Sequence, residues 1–255
     1  MIKRIASSFR DPSGFLFYRD GTVYRQINLS YKDSYNTLRK SGLYASMVKD
    51  RLLISHEEVD IKPSTNGIAY KIIQPQAIQF ISYPYEWCFS QLKDAALTTL
   101  KVQRRALNFG MTLKDATAYN IQFHMGKPIF IDTLSFEKYI EGKPWVAYKQ
   151  FCQHFLAPLA LMSYKDIRLA QLLRTYIDGI PLDLVSSLLP SCTKFKLALL
   201  THIHLHAISQ KHYADKPSGI SSNKISKMGF LGILDSLESI VKGLKWKPCG
   251  TEWAD

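Results

Sequence analysis

Asp115, Asn120 and Asp132 have the types and the spacing that one kind of chemistry requires. In the run from Thr112 to Ser135, Asp115 stands five residues before Asn120, and Asp132 closes a short apolar strand. Metal-assisted phosphoryl transfer uses such a set: one Asp orients the acceptor hydroxyl, while the Asn and a second Asp hold divalent ions on the phosphates. Short polar residues also favour turns and strand ends for local hydrogen bonding. Both accounts of the three residues stay open at the level of sequence.

The elements around them follow from patterning. After Asn120 comes an apolar strand, a turn at Gly126-Lys127, and a second strand from Pro128 to Ile131 that delivers Asp132. Before Asp115, a long helix from about Ser90 buries a stripe of Leu92, Ala95, Ala96, Leu100, Val102 and Ala106 and stops at Gly110. Tyr83-Pro-Tyr-Glu-Trp87 forms a stiff aromatic crossing segment ahead of that helix. Nearer the N-terminus, Gly14–Tyr18 and Thr22–Ile27 flank Asp20-Gly21 and read as a β-hairpin. From Ser30 to Ile54, Tyr31, Tyr35, Leu38, Leu43 and Met47 share one helical face, with a break at Ser41-Gly42. His56 to Asn66 reads as a charged connection, followed by two extended runs, 68–73 and 77–82. Helices fill 145–213, punctuated at Gly179-Ile-Pro181 and Leu189-Pro190. Residues 216–223 make a flexible joint, and a last amphipathic helix spans 230–244. Strands first and helices after define an α+β class.

The bulk properties narrow the partners. With 255 residues, 46% hydrophobic and 21% charged, the chain can bury a substantial core. A net charge of +12 favours anionic partners such as nucleotides, nucleic acid or an acidic surface. The basic residues are dispersed, so nucleic-acid binding has charge behind it but no motif. Cys88, Cys152, Cys192 and Cys249 are isolated and lack C-x-x-C spacing, which fits a reducing compartment. No apolar run is long enough to span a bilayer, and no signal-type h-region opens the chain. The expected location is cytoplasmic, without a membrane partner.

Other residues with functional types have simpler readings. Thr201-His-Ile-His-Leu-His206 falls in a helical pattern that puts His202 and His206 on one face and His204 elsewhere. Two imidazoles need a third ligand to hold zinc, and the Glu of H-E-x-x-H is missing, so packing or hydrogen bonding is the expected role. Tyr83, Tyr85 and Trp87 read first as a packing wedge and second as a stacking platform. Glu86, a carboxylate among aromatics, calls for a cationic partner. Trp145, Tyr148, Phe151 and Phe155 read as core.

Asp115-Ala-Thr-Ala-Tyr-Asn120 and Ile129-Phe-Ile-Asp132 resemble the D-x-x-x-x-N loop and metal-binding Asp of the protein-kinase-like superfamily, in the compressed form of aminoglycoside phosphotransferases. The resemblance implies a two-lobed kinase-like fold: an N-lobe over 1–82, a helical C-lobe over 83–215 with the catalytic-type loop and hairpin, and a joint, helix and linker over 216–255. It makes Asp115 the base or hydroxyl-orienting residue, Asn120 and Asp132 the Mg²⁺ ligands, and Ser82 to Trp87, with Glu86, the hinge beside the adenine of ATP. Arg25, in Val23-Tyr-Arg25, takes the place of the strand Lys, to pair with phosphates or with Glu57 or Glu58. Leu113 and Lys114 stand where His and Arg of H-R-D would, Thr133-Leu134 replaces Phe-Gly, and no G-x-G-x-x-G is present.

A wider resemblance rests on Ile81-Ser-Tyr-Pro-Tyr-Glu-Trp, Leu92-Lys-Asp-Ala-Ala-Leu, Leu113-Lys-Asp-Ala-Thr-Ala-Tyr-Asn, Phe130-Ile-Asp-Thr-Leu-Ser-Phe-Glu and Trp145-Val-Ala-Tyr-Lys-Gln-Phe-Cys. These phrases are similar to the N-terminal region of a bacterial and archaeal family labelled class I S-adenosylmethionine-dependent methyltransferases, some related to host-specific nodulation proteins. Gly250 to Asp255 resembles the join to the methyltransferase domain there. No glycine loop for S-adenosylmethionine occurs in this chain. The resemblance therefore implies a kinase-like module, catalytic or not, that serves a methyltransferase domain or subunit lying beyond Asp255.

Overall fold

In the computed structural model, residues 2–4, 11–61, 67–213 and 224–247 are described. Contacts divide the chain into two units. One comprises Met1–Ile81, Lys101–Asp115 and Asn120–Ile140; the other comprises Ser82–Leu100, Ala116–Tyr119 and Glu141–Asp255. The α+β class read from the sequence is the class observed.

The first unit is built on an antiparallel sheet of five strands: β1 (Ile2–Arg4), β2 (Gly14–Arg19), β3 (Thr22–Asn28), β4 (His56–Glu58) and β5 (Ala69–Pro75), in the order β1-β2-β3-β5-β4. Asp20 and Gly21 both have positive φ (51° and 80°), the turn that matches strand twist and lets β2 and β3 pair from Gly14↔Ile27 to Arg19↔Thr22. The helical stretch that follows breaks as expected. α1 (Lys32–Lys40) and α2 (Leu43–Lys49) meet at Gly42, whose φ of 83° a side-chain-bearing residue adopts only with strain. Tyr31, Tyr35, Leu38, Leu43 and Met47 are all buried. Ile27, Tyr31, Tyr35, Ile73 and Leu134 form one core cluster, and Phe15, Phe17 and Ile72 another.

The strand reading needs two corrections. The run 77–82 is not a strand: Phe80 is 75% and Ile81 50% exposed. β5 already has β3 on one side and β4 on the other, so no ladder is open for a further strand beside it. Conversely, His56–Glu58, read as a charged connection, is that edge strand β4. Charge conceals it, since an edge strand needs apolar residues on one face only. Tyr35 holds it in place, its hydroxyl lying 3.0 Å from His56 Nε2 and donating to Glu58 Oε1 at 2.9 Å. Residues 62–66 of the expected connection, the whole joint at 216–223 and the join at 250–255 lie outside the described residues.

α3 (Phe89–Asn108) runs through both units, and its predicted stripe is buried. In the crossing segment, Pro84 starts a short 3₁₀ turn, Pro84–Glu86, where a missing N–H costs nothing. After Gly110 (φ 72°), β6 (Met111–Leu113) pairs with β9 (Phe136–Lys138), enclosing the hairpin of β7 (Ile121–His124) and β8 (Lys127–Phe130). The hairpin turns one residue earlier than read, at Met125-Gly126 (φ 51° and 74°), and Lys127 pairs with His124. Phe130 binds Leu52 and Ile54 through backbone hydrogen bonds of 2.9 Å each, which fastens the hairpin within the first unit.

The second unit is helical. α4 (Tyr148–Phe151) continues through a π turn, Cys152–Leu156, into α5 (Ala157–Tyr164). Then come α6 (Leu172–Thr175), α7 (Leu182–Leu188), α8 (Leu197–Leu199), a second π turn (Leu200–Leu205), α9 (His206–Tyr213) and α10 (Lys227–Gly243). The three histidines singled out in the sequence sit at this second π turn and the start of α9. His202 lies 2.7 Å from the Tyr148 hydroxyl and 2.8 Å from that of Ser236, and His204 lies 2.8 Å from Ser186 and 3.0 Å from Thr193. His206 stacks on Tyr148. Trp145, Phe151 and Phe155 are core.

Burial pushes the imidazoles of His56, His154 and His202 down to about 4, with Arg39 adding to the effect at His56 and His206 at His202. The unfolded chain takes up these protons near 6.5 and the folded chain only near 4, so stability is full above about 6.5 and falls as the pH drops through that window. The expected cost approaches about 2–3 kcal/mol per histidine once pH 4 is reached. Urea unfolding at pH 7 and pH 5 should show the loss, and His202→Asn should make it shallower. A midpoint unchanged between the two pH values would refute the assignment.

Candidate functional site

Arg25 points from β3 at the loop that follows β8. Its Nη1 lies 2.6 Å from Asp132 Oδ1, with both side chains mostly buried (13% and 15% exposed). Asp132 also caps the 3₁₀ turn Thr133–Ser135: Oδ1 accepts the Leu134 N–H at 3.0 Å and Oδ2 the Ser135 hydroxyl at 2.5 Å. Asn120 Nδ2 donates to that same Ser135 oxygen at 3.3 Å. Asn120 and Asp132, twelve residues apart in sequence, are therefore joined through a single hydroxyl.

The loop carrying Asp115 is fixed from behind. Gln103 is fully buried on α3 within the first unit; its Oε1 accepts the Leu113 N–H at 2.7 Å and its Nε2 donates to Thr112 Oγ1 at 3.0 Å. The Lys114 N–H donates to the Ser135 carbonyl at 2.8 Å, so the residue before Asp115 is tied to the residue that bridges Asn120 and Asp132. Within the second unit, the Ala116 N–H donates to Gln150 Oε1 at 3.1 Å.

Tyr31 closes the inner wall. Its hydroxyl donates to the Phe136 carbonyl at 2.5 Å and accepts the Phe136 N–H at 3.2 Å. Burial first, and then the charge of Asp132, hold this phenol well above its usual range, so it remains protonated. The Lys114 ammonium lies 5.0 Å from the centre of the Tyr31 ring and donates to Ser13 Oγ at 2.6 Å.

Sequence reasoning placed Arg25 against phosphates or Glu57 or Glu58. Its carboxylate partners in the structure are Asp132 and, at 3.5 Å, Asp11. Glu58 is engaged elsewhere, by Lys71 at 2.8 Å and by Tyr35. Glu86 belongs to the second unit, where its carboxylate accepts the Tyr83 N–H at 2.7 Å and closes a capping box instead of meeting a cation. Tyr83 and Tyr85 stack in parallel, with centroids 5.5 Å apart, and Trp87 is buried with its N–H on Ser82.

Three contributors went unremarked in the sequence. Ser135 and Gln103 carry no motif and are found only by contact. Asp11-Pro-Ser13-Gly14 carries a turn signal, and the Asp11 carboxylate does accept the Ser13 N–H at 2.8 Å. Gly14 is required there, since a Cβ would fall 2.1 Å from the Gln26 carbonyl oxygen.

As to metal chemistry, Asn120 and Asp132 offer hard oxygen donors of the type Mg²⁺ takes, and Mg²⁺ commonly completes its shell with substrate phosphates and water. No group of three or more His, Cys, Asp or Glu suited to a metal occurs among the described residues.

No known family profile matches the chain. Over 250 residues it is 34% identical to nodulation protein NoeA of Rhizobium meliloti (strain 1021), a match covering 95% of this chain and 52% of that protein. The chain spans about half the length of that curated relative. The solved structure of vaccinia related kinase 3 is similar at 10% identity and a TM-score of 0.45, over 96% of this chain and 87% of that one.

Removing one member of a buried ion pair leaves the other charge uncompensated. Arg25→Met and Asp132→Leu should each destabilise the protein by about 2–4 kcal/mol, while the double variant should cost clearly less than their sum. A double-mutant cycle in urea measures this coupling; strict additivity would rule the pair out as a structural tie.

Proposed function

We propose that this chain is a kinase-like domain that binds a nucleotide together with Mg²⁺ and presents Asp115 to an acceptor hydroxyl for phosphate transfer. The observation that carries the reading is the junction of Asn120 and Asp132 at Ser135 Oγ, which brings an amide and a carboxylate from separate strand ends to one point. An ion entering there would take oxygens of both residues in place of the Ser135 bridge. Arriving with phosphates, it would give the cluster a compensating anion next to Arg25. Charge balance makes the two ligands interdependent: Mg²⁺ alone would face the Arg25 guanidinium, and a nucleotide alone the Asp132 carboxylate.

Thermal denaturation with ATP, Mg²⁺, and both together tests this. MgATP should raise the midpoint by several degrees, as expected for a ligand near 100-fold above its dissociation constant, and either component alone should do much less. Asp132→Asn should abolish the shift, whereas Asp115→Asn should keep it and remove phosphate transfer. No shift with MgATP or MgGTP sinks the proposal.

A second reading is favoured by the saturation of Asp132, both of whose oxygens have protein partners. On that reading the carboxylate is a cap and an ion-pair tie, and the chain is a non-catalytic module serving a methyltransferase domain or subunit. The half-length match to NoeA is compatible with a further domain. Asp132→Asn would then lower stability, and MgATP would shift neither protein.

A further inference from the structure

Arg25 is unevenly used. Nη1 holds Asp132 at 2.6 Å, but Nη2 reaches Asp11 Oδ2 only at 3.5 Å, and the buried Nε has no hydrogen-bond partner among the described residues. Nε and Nη2 form the side-on edge of a guanidinium, the edge that binds carboxylate or phosphate with two parallel hydrogen bonds. That edge is half empty. On the other side of Asp11, the Lys114 ammonium is 3.7 Å from Oδ1, again longer than the 2.7–2.9 Å typical of a charge-assisted bond. The firm bond of Asp11 is to the Ser13 N–H at 2.8 Å, and its side chain is 28% exposed.

Two cations thus converge on a carboxylate that satisfies neither of them well. The backbone holding it is well fixed: the Pro12 carbonyl accepts from Asn28 Nδ2 at 3.0 Å and Ser30 Oγ at 2.9 Å, and the Asn28 N–H donates to the Ser13 carbonyl at 2.8 Å. Rotation of the Asp11 side chain, 28% exposed, would open the guanidinium edge. Ser13 Oγ, which already accepts from Lys114, supplies a hydroxyl on the same wall.

We propose that the Nε–Nη2 edge of Arg25, the Lys114 ammonium and the Ser13 hydroxyl form a binding site for a phosphate-type oxyanion, and that Asp11 fills this site from within the chain as a displaceable internal anion. The site needs no metal, because Arg25 keeps Asp132 on Nη1 while the other edge takes the ligand. It shares Arg25 with the Mg²⁺–nucleotide reading and adds Lys114, Ser13 and a displaceable Asp11, and binding in EDTA tests it apart from that reading. Asp11 sets the threshold: a phosphate dianion or a polyphosphate brings more charge and more acceptor oxygens than one carboxylate, whereas chloride or acetate does not. Binding should also weaken with salt, as expected when cations hold an anion on a partly exposed surface.

The test is calorimetric titration of the whole chain with inorganic phosphate and with tripolyphosphate, in EDTA. Asp11→Asn keeps an acceptor for the Ser13 N–H but removes the competing charge, and it should bind both anions at least tenfold more tightly than the unmodified protein. Adding Lys114→Gln to that variant should take back at least tenfold. Should Asp11→Asn fail to fold, Asp11→Ser carries the same expectation, its hydroxyl replacing the acceptor. Unchanged affinity on neutralising Asp11, or a gain that Lys114→Gln leaves intact, overturns the proposal. Phosphate binding without any MgATP shift would retain this site and remove the nucleotide reading, and the opposite result would do the reverse.

Discussion

The contact between Arg25 and Asp132 is the tie on which the first unit depends. It links a strand of the N-terminal sheet to the loop after the second hairpin, and both partners are largely withdrawn from water. A buried ion pair recovers its desolvation cost only when the remaining polar valences are met. Here Asp132 has the Leu134 N–H and the Ser135 hydroxyl besides Arg25. Fixing that loop seats Leu134 in the core with Ile27, Tyr31, Tyr35 and Ile73, and starts β9 in register with β6. The stretch between β6 and β9 contains Asp115, Asn120 and the hairpin, so one ion pair constrains the placement of every candidate functional residue in this unit.

This arrangement explains which parts of the molecule were legible in the sequence. The β2–β3 hairpin was readable because Asp20-Gly21 takes a backbone conformation that few other dipeptides take. The helical face from Tyr31 to Met47 and the stripe of α3 were readable because burial repeats with the helical period. β4 was missed because His56–Glu58 owes its place to Tyr35 and to pairing with β5, neither of which leaves an apolar trace in three residues. The run 77–82 misled for the opposite reason: it is rich in apolar residues, but the sheet beside β5 was already full.

The candidate site divides along the same line. Residue types and spacing singled out Asp115, Asn120 and Asp132 as candidates, and the structure joins the last two through Ser135. The partner of Arg25 could not be read, because a strand cation faces whichever carboxylate the tertiary structure supplies, and Glu58 and Asp132 were equivalent as letters. Ser135 and Gln103 were invisible for a related reason. A serine or a glutamine gains its role here from one buried contact each, and such contacts have no period.

The missing glycine loop takes on a different meaning in this setting. A glycine-rich loop binds phosphate with successive backbone N–H groups, which are fixed dipoles that need no neutralisation when the ligand leaves. This chain instead has Arg25 and Lys114 behind a segment with a single close-packed glycine, Gly14. Full charges in a partly buried place must be balanced at all times, so a structure that replaces dipoles with cations has to carry its own anions. Asp132 and Asp11 are those anions, and their bond lengths differ by nearly an ångström: one is held at 2.6 Å and the other at 3.5 Å. The first is the tight contact that holds the fold, and on the proposal above the longer second one marks the anion that exchanges with phosphate.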